Sequence, residues 1–569
     1  MNKYNWQIKE LVSEEIKKNF PELQPAVLQL LYDRGLKTQE EIDEFLHPDY
    51  SQDIHDPFLF QDMEKAVARI YQTKDKKEKI LIYGDYDADG VCGSSILAKV
   101  FKKLALNFEV YLPDREKDGY GLNENLVRQF AEQGVKLIIT VDCGISNAKE
   151  VSLATDLGLE VIITDHHHIP EEVPPALAII HPGYDKNYPF DKLAGGGVAF
   201  KVAQALIRKP QSGLNGEADY YEKWLLDLVA ISTVADMVPL VGENRTLAKY
   251  GLIVLAKTRN LGLQQLYQVA GIKTEKMEAF TIGFQIAPRI NAASRMDHAN
   301  SAFRLLTTEN VEEAITIAHE LNKKNQARQS LTEKMVSQAK EQIGEVSKDQ
   351  PVLFTYGDDW NPGVIGLVAS KLTQDFSRPA FALSFDGQKY IASGRSIKEF
   401  NLIEGLDKFS DYFIKYGGHS GAAGFSITKE KFEKFKADFS EFAREKLKDI
   451  KFIPKLIIDQ EISLAEANWD LVEILADFEP FGEGNYRPRF LIKDLKVKSS
   501  EGLGQDNKHL RLMVQSGETV RKIICFGFGD LCEALRPGDM IEAVCELGIN
   551  QWNGNREIQL SLIDVNKIS

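Results

Sequence analysis

The chain has 569 residues, of which 43% are hydrophobic and 27% are charged, and its formal net charge is −15. This length exceeds what one hydrophobic core supports, and the composition argues against extended disorder. The acidic balance disfavours a passive nucleic-acid coat, which normally carries a basic excess, but it permits an enzyme with a carboxylate-rich metal site and a local basic groove.

The cysteines and the hydropathy pattern indicate the compartment. The five cysteines include no CxxC pair, which argues against a zinc knuckle or a redox pair and suits a reducing environment. The N-terminal sequence MNKYNWQIKELVSEEIKKNF lacks the apolar core of a signal peptide. The apolar runs fall short of the ~18–20 residues that span a bilayer. We therefore expect a cytoplasmic monomer that does not associate with membranes.

The first half of the chain predicts a helical segment followed by an α/β domain. Residues 1–55 read as short helices and turns, with prolines at the boundaries. In residues 56–308, short apolar runs alternate with helix-like stretches. The apolar runs lie at 79–83, 108–112, 136–141, 160–164 and 176–180, and the helix-like stretches at 94–104 and 123–133. This alternation predicts a parallel sheet covered on both faces, with functional residues at the carboxyl ends of its strands.

The second half predicts a long helix, another α/β domain and a β-barrel. Residues 309–345 have apolar residues at three- and four-residue spacing, which predicts a helix that connects two bodies. An ordinary surface helix of the first domain is the alternative. Residues 346–450 predict the second α/β domain, and residues 451–569 predict a small OB-like barrel of short strands. The strand-like runs of the barrel lie at 508–515, 520–528, 539–552 and 556–565.

Acidic residues follow the first predicted strand at regular spacing. The segment GDYDADG (84–90) places Asp85, Asp87 and Asp89 at alternate positions. Alternate side chains of an extended segment share one face, so these three carboxylates are expected to converge on a cation.

Later apolar runs, which we also interpret as strands, end in the same residue types. They end at Asp142, at Asp165-His166-His167 and at Asp236. A single Asp at a strand end is more often a turn former or a helix cap, but the set together predicts a metal site. Carboxylate and imidazole ligands suit Mn²⁺ or Mg²⁺, and two such cations ~3.5–4 Å apart form a hydrolytic site for phosphoesters.

These segments resemble the four motifs of the DHH phosphoesterase superfamily, and nearly the whole chain is similar to its RecJ family. Further segments that carry the resemblance are PDREKDGYGL (113–122), PRINAASRMD (288–297), WNPGVIGLVASKL (360–372), SGRS (393–396), GGHSGAAGF (417–425) and EPFGEGN (479–485). Tyr486 stands where the family usually has Pro. The resemblance implies a DHH catalytic domain at 56–308, a DHHA1 domain at 346–450 and an OB domain at 451–569.

The resemblance also assigns the residues of the site. It implies two divalent cations, Mn²⁺ or Mg²⁺, held by Asp85, Asp87, Asp89, Asp142, His166 and Asp236. Asp85 is either a ligand or a partner of one. The implied catalytic residues are Asp87, Asp142, His166 and His167, with His167 contacting the substrate phosphate rather than a metal.

Further residues are expected to bind the substrate. Guanidinium groups suit phosphate oxygens, and an aromatic ring between glycines can stack on an unpaired base. The resemblance implies that Arg115, Arg289, Arg295, Arg395 and Ser393 bind substrate phosphates. Residue type and the neighbouring glycines add Tyr120, Asn291 and His419 as candidates for substrate contacts. For each of them a surface ion pair, a packed turn or a structural role is the alternative. In the last domain, stacking on bases and packing in the barrel core are both open for Phe526, Phe528 and Trp552.

The implied activity is 5′-to-3′ hydrolysis of single-stranded DNA to 5′-mononucleotides in DNA repair and recombination. The implied partners are single-stranded DNA, single-strand-binding protein and a repair helicase. One alternative is a DHH phosphodiesterase for oligoribonucleotides or cyclic dinucleotides, although such relatives typically lack the β-rich ending. Another is a non-catalytic scaffold that binds single-stranded DNA; such a protein would have lost some of the metal ligands.

The segment AGGGVAF (194–200) lacks the Lys and Ser/Thr of a phosphate-binding P-loop, and we predict that its glycines allow close packing of a helix.

Overall fold

The computed structural model describes residues 3–115, 117–347, 349–552 and 554–568, except for the side chain of Trp552. The chain divides into two compact units. The first contains the described residues of 1–290, 299–318 and 455–569, and the second contains those of 291–298 and 319–454.

The N-terminal segment forms three helices, as predicted, and also a strand that was not predicted. These elements are β1 (Asn5–Ile8), α1 (Glu14–Asn19), α2 (Pro25–Asp33) and α3 (Gln39–Leu46). Strand β1 pairs in parallel with residues 455–458, a partner that only the fold supplies. The apolar faces of α2 and α3 are buried in the same core as the C-terminal barrel.

The predicted parallel sheet is confirmed. Its elements are α4 (Met63–Lys76), β2 (Lys79–Gly84), α5 (Ala88–Lys103), β3 (Phe108–Tyr111), α6 (Glu124–Glu132), β4 (Val135–Val141), α7 (Ala148–Asp156), β5 (Glu160–Thr164) and β6 (Ala178–Ile180). The strand order is β3-β2-β4-β5-β6, with parallel pairing throughout. Strands β2, β4 and β5 are almost entirely buried, which explains their continuous apolar sequence, whereas the edge strand β3 is only partly buried.

The residues from 195 to 343 are mainly helical and lead to the second unit. They are α8 (Gly195–Arg208), α9 (Ala218–Trp224), α10 (Leu226–Ala235), α11 (Gly242–Ala256), α12 (Leu261–Ala270), α13 (Ala279–Thr281), α14 (Ala287–Met296), α15 (Asn300–Thr307) and α16 (Val311–Ile343). A π-helical turn, Ile282–Ile286, leads into α14. Helix α16 has 33 residues and confirms the predicted long helix.

The second unit is an α/β domain around a phenylalanine-rich core. Its elements are β7 (Leu353–Gly357), α17 (Ile365–Phe376), β8 (Ala380–Phe385), β9 (Lys389–Arg395), α18 (Leu402–Asp407), β10 (Phe413–His419), β11 (Ala422–Thr428) and α19 (Lys429–Leu447). The sheet order is β10-β11-β9-β8-β7, and only β7 and β8 pair in parallel. Helix α19 covers the sheet with Phe432, Phe435 and Phe439, all of which are buried.

The C-terminal region returns to the first unit as a closed barrel, as predicted. Its elements are β12 (Lys455–Ile458), β13 (Gln460–Glu461), α20 (Trp469–Asp477), β14 (Arg489–Leu503), β15 (His509–Ser516), β16 (Thr519–Cys525), β17 (Met540–Trp552) and β18 (Asn555–Lys567). Strand β14 pairs with both β15 and β17 and so closes the barrel. The sequence analysis missed β14, although lysines at 496 and 498 alternate with the inward-facing Leu495 and Val497, a pattern typical of a half-buried strand.

A buried arginine joins three parts of the first unit. Arg245 on α11 is 1% exposed and donates hydrogen bonds to the carbonyl oxygens of Phe45, Asp477, Phe478 and Glu479 at 2.7–3.0 Å. Its guanidinium also lies 3.9 Å from the ring centroid of Phe45.

Replacing Arg245 by Met is expected to lower the free energy of unfolding by on the order of 3 kcal/mol. The reason is that a buried carbonyl left without a donor costs about 1–3 kcal/mol. Thermal unfolding followed by circular dichroism measures the effect. Arg511→Met is the control, since the Arg511 side chain is half-exposed and pairs with Glu501 at the surface. Equal melting temperatures for the two variants would contradict this role of Arg245.

Candidate metal centre

The carboxyl ends of four neighbouring strands are level with one another. The pairing sets Gly84 beside Val141, Val141 beside Thr164, and Thr164 beside Ile180. The next residue of each strand therefore stands at the same edge of the sheet. These four residues are Asp85, Asp142, Asp165 and His181.

The carboxylates of the segment 85–89 lie at this edge, but the conformation of the segment differs from the predicted one. The helix α5 begins at Ala88, so Asp89 is helical rather than extended. Asp87 is the N-cap of α5, and its carboxylate accepts hydrogen bonds from the backbone N–H groups of Asp89 (2.8 Å) and Gly90 (3.1 Å). Asp89 lies in the first helical turn. A carboxylate that satisfies free N–H groups starts a helix readily, and this capping overrides the extended conformation that we expected.

The prediction that Asp236 follows a strand is wrong. The apolar run before it is helix α10, and Asp236 is its C-cap residue. Every residue of α10 from 226 to 233 is buried, so the run has no periodicity that separates a helix from a strand.

The predicted ligands nevertheless come together. Three groups of side chains place one ligand atom from each member within 4.8 Å of the others. The groups are Asp85-Asp87-Asp142, Asp142-His166-His167 and Asp89-His166-Asp236. Nε2 of His166 lies 3.1 Å from Asp142 Oδ1, 3.5 Å from Asp236 Oδ2 and 3.7 Å from Asp89 Oδ2. Asp142 and His166 each belong to two groups and link the cluster.

The electrostatics of the cluster fit divalent cations. Burial, followed by repulsion from neighbouring carboxylates, raises the pKa of Asp85 and Asp142 well above the ordinary value and that of Asp236 to about 9. Asp85 Oδ1, Asp142 Oδ1 and His166 Nε2 are buried and make no hydrogen bond to any described residue. Buried acceptors that lack donors and carboxylates that repel one another are what a bound cation would compensate.

Two features that the sequence analysis did not assign to the site hold Asp89. The carboxylate of Asp89 accepts hydrogen bonds from the backbone N–H groups of Gly195 and Gly196, both at 2.7 Å, and from Ser232 Oγ at 2.5 Å. A Cβ atom at Gly195 would lie 2.6 Å from Asp142 Cβ, and one at Gly196 would lie 2.5 Å from Ser232 Oγ. The glycines of 194–200 thus permit the close packing that we predicted, but their neighbours are candidate metal ligands.

Asp165 positions the two histidines rather than joining the ligand groups. Its carboxylate accepts hydrogen bonds from the N–H groups of Ile145 (2.9 Å) and His166 (2.7 Å) and lies 2.8 Å from Nδ1 of His167. From the next strand end, Nε2 of His181 donates to the carbonyl oxygen of His167 at 2.8 Å, since its Nδ1 accepts from the backbone. His181 is a positioning residue that the sequence analysis missed.

The pair of His167 and Asp165 favours a protonated imidazole. Burial acts to lower the pKa of His167, but the hydrogen bond and charge of Asp165 outweigh burial, and the pKa rises to about 9. Since this pKa lies above the ordinary 6.5, the stabilisation from the pair is complete below about pH 6.5 and is lost as the pH rises through about 9.

Replacing Asp165 by Asn is expected to lower the pKa of His167 from about 9, because the hydrogen bond to a carboxylate and its charge are lost and only the charges of Asp236 and Asp89 then oppose burial. An NMR titration of the imidazole in the metal-free protein measures the shift. Asp156→Asn is the control, since Asp156 is exposed at the end of α7. A pKa that stays near 9 in the Asp165 variant would show that the other carboxylates set it.

Two of the predicted substrate-binding residues border the cluster. The hydroxyl of Tyr120 donates to the carbonyl oxygen of Asp142 (3.2 Å) and lies 3.1 Å from Nδ1 of His167, while the residue remains 48% exposed. The guanidinium of Arg115 lies 5.4 Å from the ring centroid of Tyr86, and its charge acts to lower the pKa of Asp85.

The other predicted substrate-binding residues lie elsewhere in the fold. Arg289, Asn291 and Arg295 belong to α14. In the second unit, Nη1 of Arg395 donates to Ser393 Oγ at 3.2 Å. A Cβ atom at Gly366, in the first turn of α17, would lie 3.1 Å from that oxygen and 3.2 Å from Nη2 of Arg395. A guanidinium, a hydroxyl and a helix N-terminus suit a phosphate.

His419 ends the edge strand β10 of the second unit and is exposed. In the barrel, Phe526 is 60% exposed, whereas Phe528 packs against the core. The side chain of Trp552 lies outside the described residues. No helix in the described part of the chain is both long enough and apolar enough to cross a bilayer.

Comparison with known proteins gives consistent results. Residues 79–233 match the DHH family N-terminal domain, residues 349–445 the DHHA1 domain and residues 458–564 the RecJ OB domain. The chain is 38% identical over 568 residues to the single-stranded-DNA-specific exonuclease RecJ of Bacillus subtilis, covering 99% of this chain and 71% of that protein. It is 32% identical to RecJ of Escherichia coli, covering 96% of each. Its fold matches a crystal structure of Thermus thermophilus RecJ in complex with Mn²⁺, with a TM-score of 0.84 and 28% identity over 100% of this chain and 80% of that one.

Proposed function

The chain belongs to the RecJ family of single-stranded-DNA-specific exonucleases, and we propose that it degrades single-stranded DNA from the 5′ end by metal-dependent hydrolysis. The observation that carries the proposal is the cluster of three overlapping ligand groups at the carboxyl edge of the parallel sheet. The relatives crystallised with Mn²⁺ and Mg²⁺ support the choice of cations.

The ligand groups suggest how the cations would be held. We assign one to Asp85, Asp87 and Asp142 and the other to Asp89, His166 and Asp236, with Asp142 and His166 near both. Bound there, two divalent cations would polarise the phosphate and lower the pKa of the attacking water.

The chain's own groups supply the remaining functions. We assign to the imidazolium of His167, held by Asp165, the role of donating to a phosphate oxygen of the substrate and offsetting its negative charge. Tyr120 fixes the His167 ring through its hydroxyl and leaves its own ring accessible for stacking on an unpaired base. Asp85, Asp89 and Asp142 are buried, so their charges act in a medium of lower dielectric constant than water, whereas His167 is exposed to solvent and substrate.

We assign the 5′ end of the DNA to the candidate phosphate-binding site of the second unit. This site is formed by Ser393, Arg395 and the first turn of α17. We assign contacts with the neighbouring phosphates of the DNA strand to five further residues: Arg115, Arg289, Asn291, Arg295 and His419. The barrel would guide the strand toward the cluster. We further propose that the protein acts in the cytoplasm during repair and recombination, together with single-strand-binding protein and a repair helicase.

A degradation assay tests the activity and its polarity. With Mn²⁺, an oligonucleotide labelled on its 5′-terminal nucleotide is expected to release labelled mononucleotide at once. The same oligonucleotide labelled at its 3′ end is expected to shorten stepwise and release label last. Blunt duplex DNA is expected to resist, since the family is specific for single strands. Release of 3′ label first would contradict the polarity, and equal degradation of the duplex would contradict the substrate. Cleavage of short oligoribonucleotides alone would favour the phosphodiesterase alternative.

A further inference from the structure

The EPFGEGN motif (479–485) precedes the barrel, yet it lies against the loop that carries a candidate metal ligand. Asp236 ends α10, and residues 236–241 connect it to α11. We call these residues the 236–241 loop. The residues that face it, 477–485, form what we call the 477–485 segment.

One hydrogen bond joins the loop to the segment directly. The buried Leu240 donates its backbone N–H to the carbonyl oxygen of Glu483 at 2.8 Å. Leu240 is four residues from Asp236, so this bond fixes the loop close to the ligand. Met237, between them, has a φ of +60°, a left-handed conformation that a non-glycine residue keeps only when its surroundings impose it.

Two glycines of the motif make this approach possible. A Cβ atom at Gly482 would lie 2.6 Å from Leu240 Cδ1. Gly484 has a φ of +70°, and a Cβ atom there would lie 2.8 Å from Pro239 Cβ and 3.2 Å from its Cα. Larger side chains at these two positions would therefore push the 236–241 loop away.

The segment is itself rigidly held. Gly482 and Asn485 exchange backbone hydrogen bonds at 3.0 and 3.2 Å, which closes a tight turn although Tyr486 replaces the usual Pro. The buried side chain of Asn485 donates to the carbonyl oxygens of Phe478 and Pro480 at 2.8 and 2.9 Å. At the other end of the segment, Arg245 donates to the carbonyl oxygens of Asp477, Phe478 and Glu479, and Arg245 lies on the helix that follows the loop.

A second contact holds the 236–241 loop from helix α11. Nδ2 of the buried Asn244 donates to the carbonyl oxygens of Lys192 (2.5 Å) and Pro239 (3.1 Å). The loop is thus held on one side by α11 and on the other by the 477–485 segment. The N–H of Asp236 donates to the carbonyl oxygen of Ser232 at 3.0 Å, so α10 holds this residue on one side and the 236–241 loop holds it on the other. Its Oδ2 lies 3.5 Å from Nε2 of His166 in the cluster.

We infer that the 477–485 segment is a positioning element of the metal centre, which holds Asp236 in place through Pro239 and Leu240. The C-terminal region then contributes to cation affinity without supplying a ligand. Groups that orient metal ligands typically change metal affinity 10- to 100-fold when they are altered. The inference rests on the metal-dependent activity proposed above.

Gly484→Ala tests the inference, with Gly213→Ala as its matched control. Gly213 has the same φ of +70°, but a Cβ atom there would meet nothing within 4 Å. The control therefore carries the same backbone strain without the contact. Mn²⁺ binding to the full chain, without DNA, is titrated by the electron paramagnetic resonance signal of the free ion. We expect Gly484→Ala to weaken one Mn²⁺ site at least about tenfold and Gly213→Ala to leave both sites unchanged.

A double variant shows whether the effect passes through Asp236. Asp236→Asn should weaken the same Mn²⁺ site, and Gly484→Ala added to it should cause no further loss. Unchanged Mn²⁺ affinity in Gly484→Ala, or losses that multiply in the double variant, would overturn the inference. Failure of the wild-type protein to bind Mn²⁺ would instead overturn the proposed function.

Hydrogen exchange of the wild-type protein provides a test that needs no variant. Because coupling between two sites is reciprocal, saturation with Mn²⁺ should slow exchange of the Leu240 amide. The amide of Leu510, which is buried in the barrel, serves as the reference. Equal exchange of Leu240 with and without Mn²⁺ would also overturn the inference.

Discussion

Replacing Asp142 by Asn is expected to lower the rate of DNA hydrolysis about 10³-fold, because removing one preorganised group that stabilises the transition state, such as an oxyanion-hole donor, typically costs 10²–10³-fold. We place Asp142 at the upper end of this range, since it belongs to two of the three ligand groups and lies 3.1 Å from His166. Single-turnover degradation of end-labelled DNA, measured at saturating enzyme, separates this loss from any change in binding.

The same substitution is expected to raise the melting temperature of the metal-free protein. Burial and four neighbouring carboxylates disfavour the charge on Asp142, and an amide of the same shape removes that repulsion. Asp156→Asn, at the exposed end of α7, should change neither quantity. An Asp142→Asn protein with more than a tenth of wild-type activity would show that Asp142 is not essential to the centre.

Adding one methyl group at Gly195 is expected to lower activity about 10²-fold, although Gly195 supplies no ligand. A Cβ atom there would lie 2.6 Å from Asp142 Cβ and 2.7 Å from its Oδ1, and the glycine N–H holds Asp89. Since Asp142 follows a buried strand, either its side chain or the start of α8 must move. A displacement of about 1 Å at a reacting centre can cost 10²-fold in rate.

The control for Gly195→Ala is two residues away on the same helix. A Cβ atom at Gly197 would lie 3.5 Å from Leu193, an ordinary contact, so Gly197→Ala should retain activity. It should also be as stable as the wild type or more so, because Ala is favoured over Gly in helices by roughly 0.5–1 kcal/mol. Equal kcat values for the two alanine variants would mean that the approach of α8 to Asp142 does not matter.

The sequence predicted the sheet and most of the cluster for a clear physical reason. Strands buried on both faces are continuously apolar, and the residue that follows each one is set by register. The pattern of apolar runs was therefore enough to place Asp142 and Asp165 at one edge of the sheet. The spacing of Asp85, Asp87 and Asp89 correctly predicted that their carboxylates converge. It also predicted an extended segment, whereas Asp87 caps a helix that contains Asp89.

Other parts of the centre could not be predicted, because their partners are distant in sequence. The run before Asp236 is buried on all sides, so its helix resembles a strand. Ser232 and His181 acquire their roles only by meeting Asp89 and the carbonyl of His167. The glycines at 195–196 were assigned to packing alone, because the sequence does not reveal that they pack against the carboxylates of Asp142 and Asp89.

The most direct test of the account is the anomalous scattering of a crystal grown or soaked in Mn²⁺. We expect two Mn²⁺ peaks ~3.5–4 Å apart, as in two-metal hydrolytic sites. Both peaks should lie among the cluster residues Asp85, Asp87, Asp89, Asp142, His166 and Asp236. A crystal that shows no peak there, or one in which these side chains keep their positions while Mn²⁺ binds elsewhere, would contradict the account.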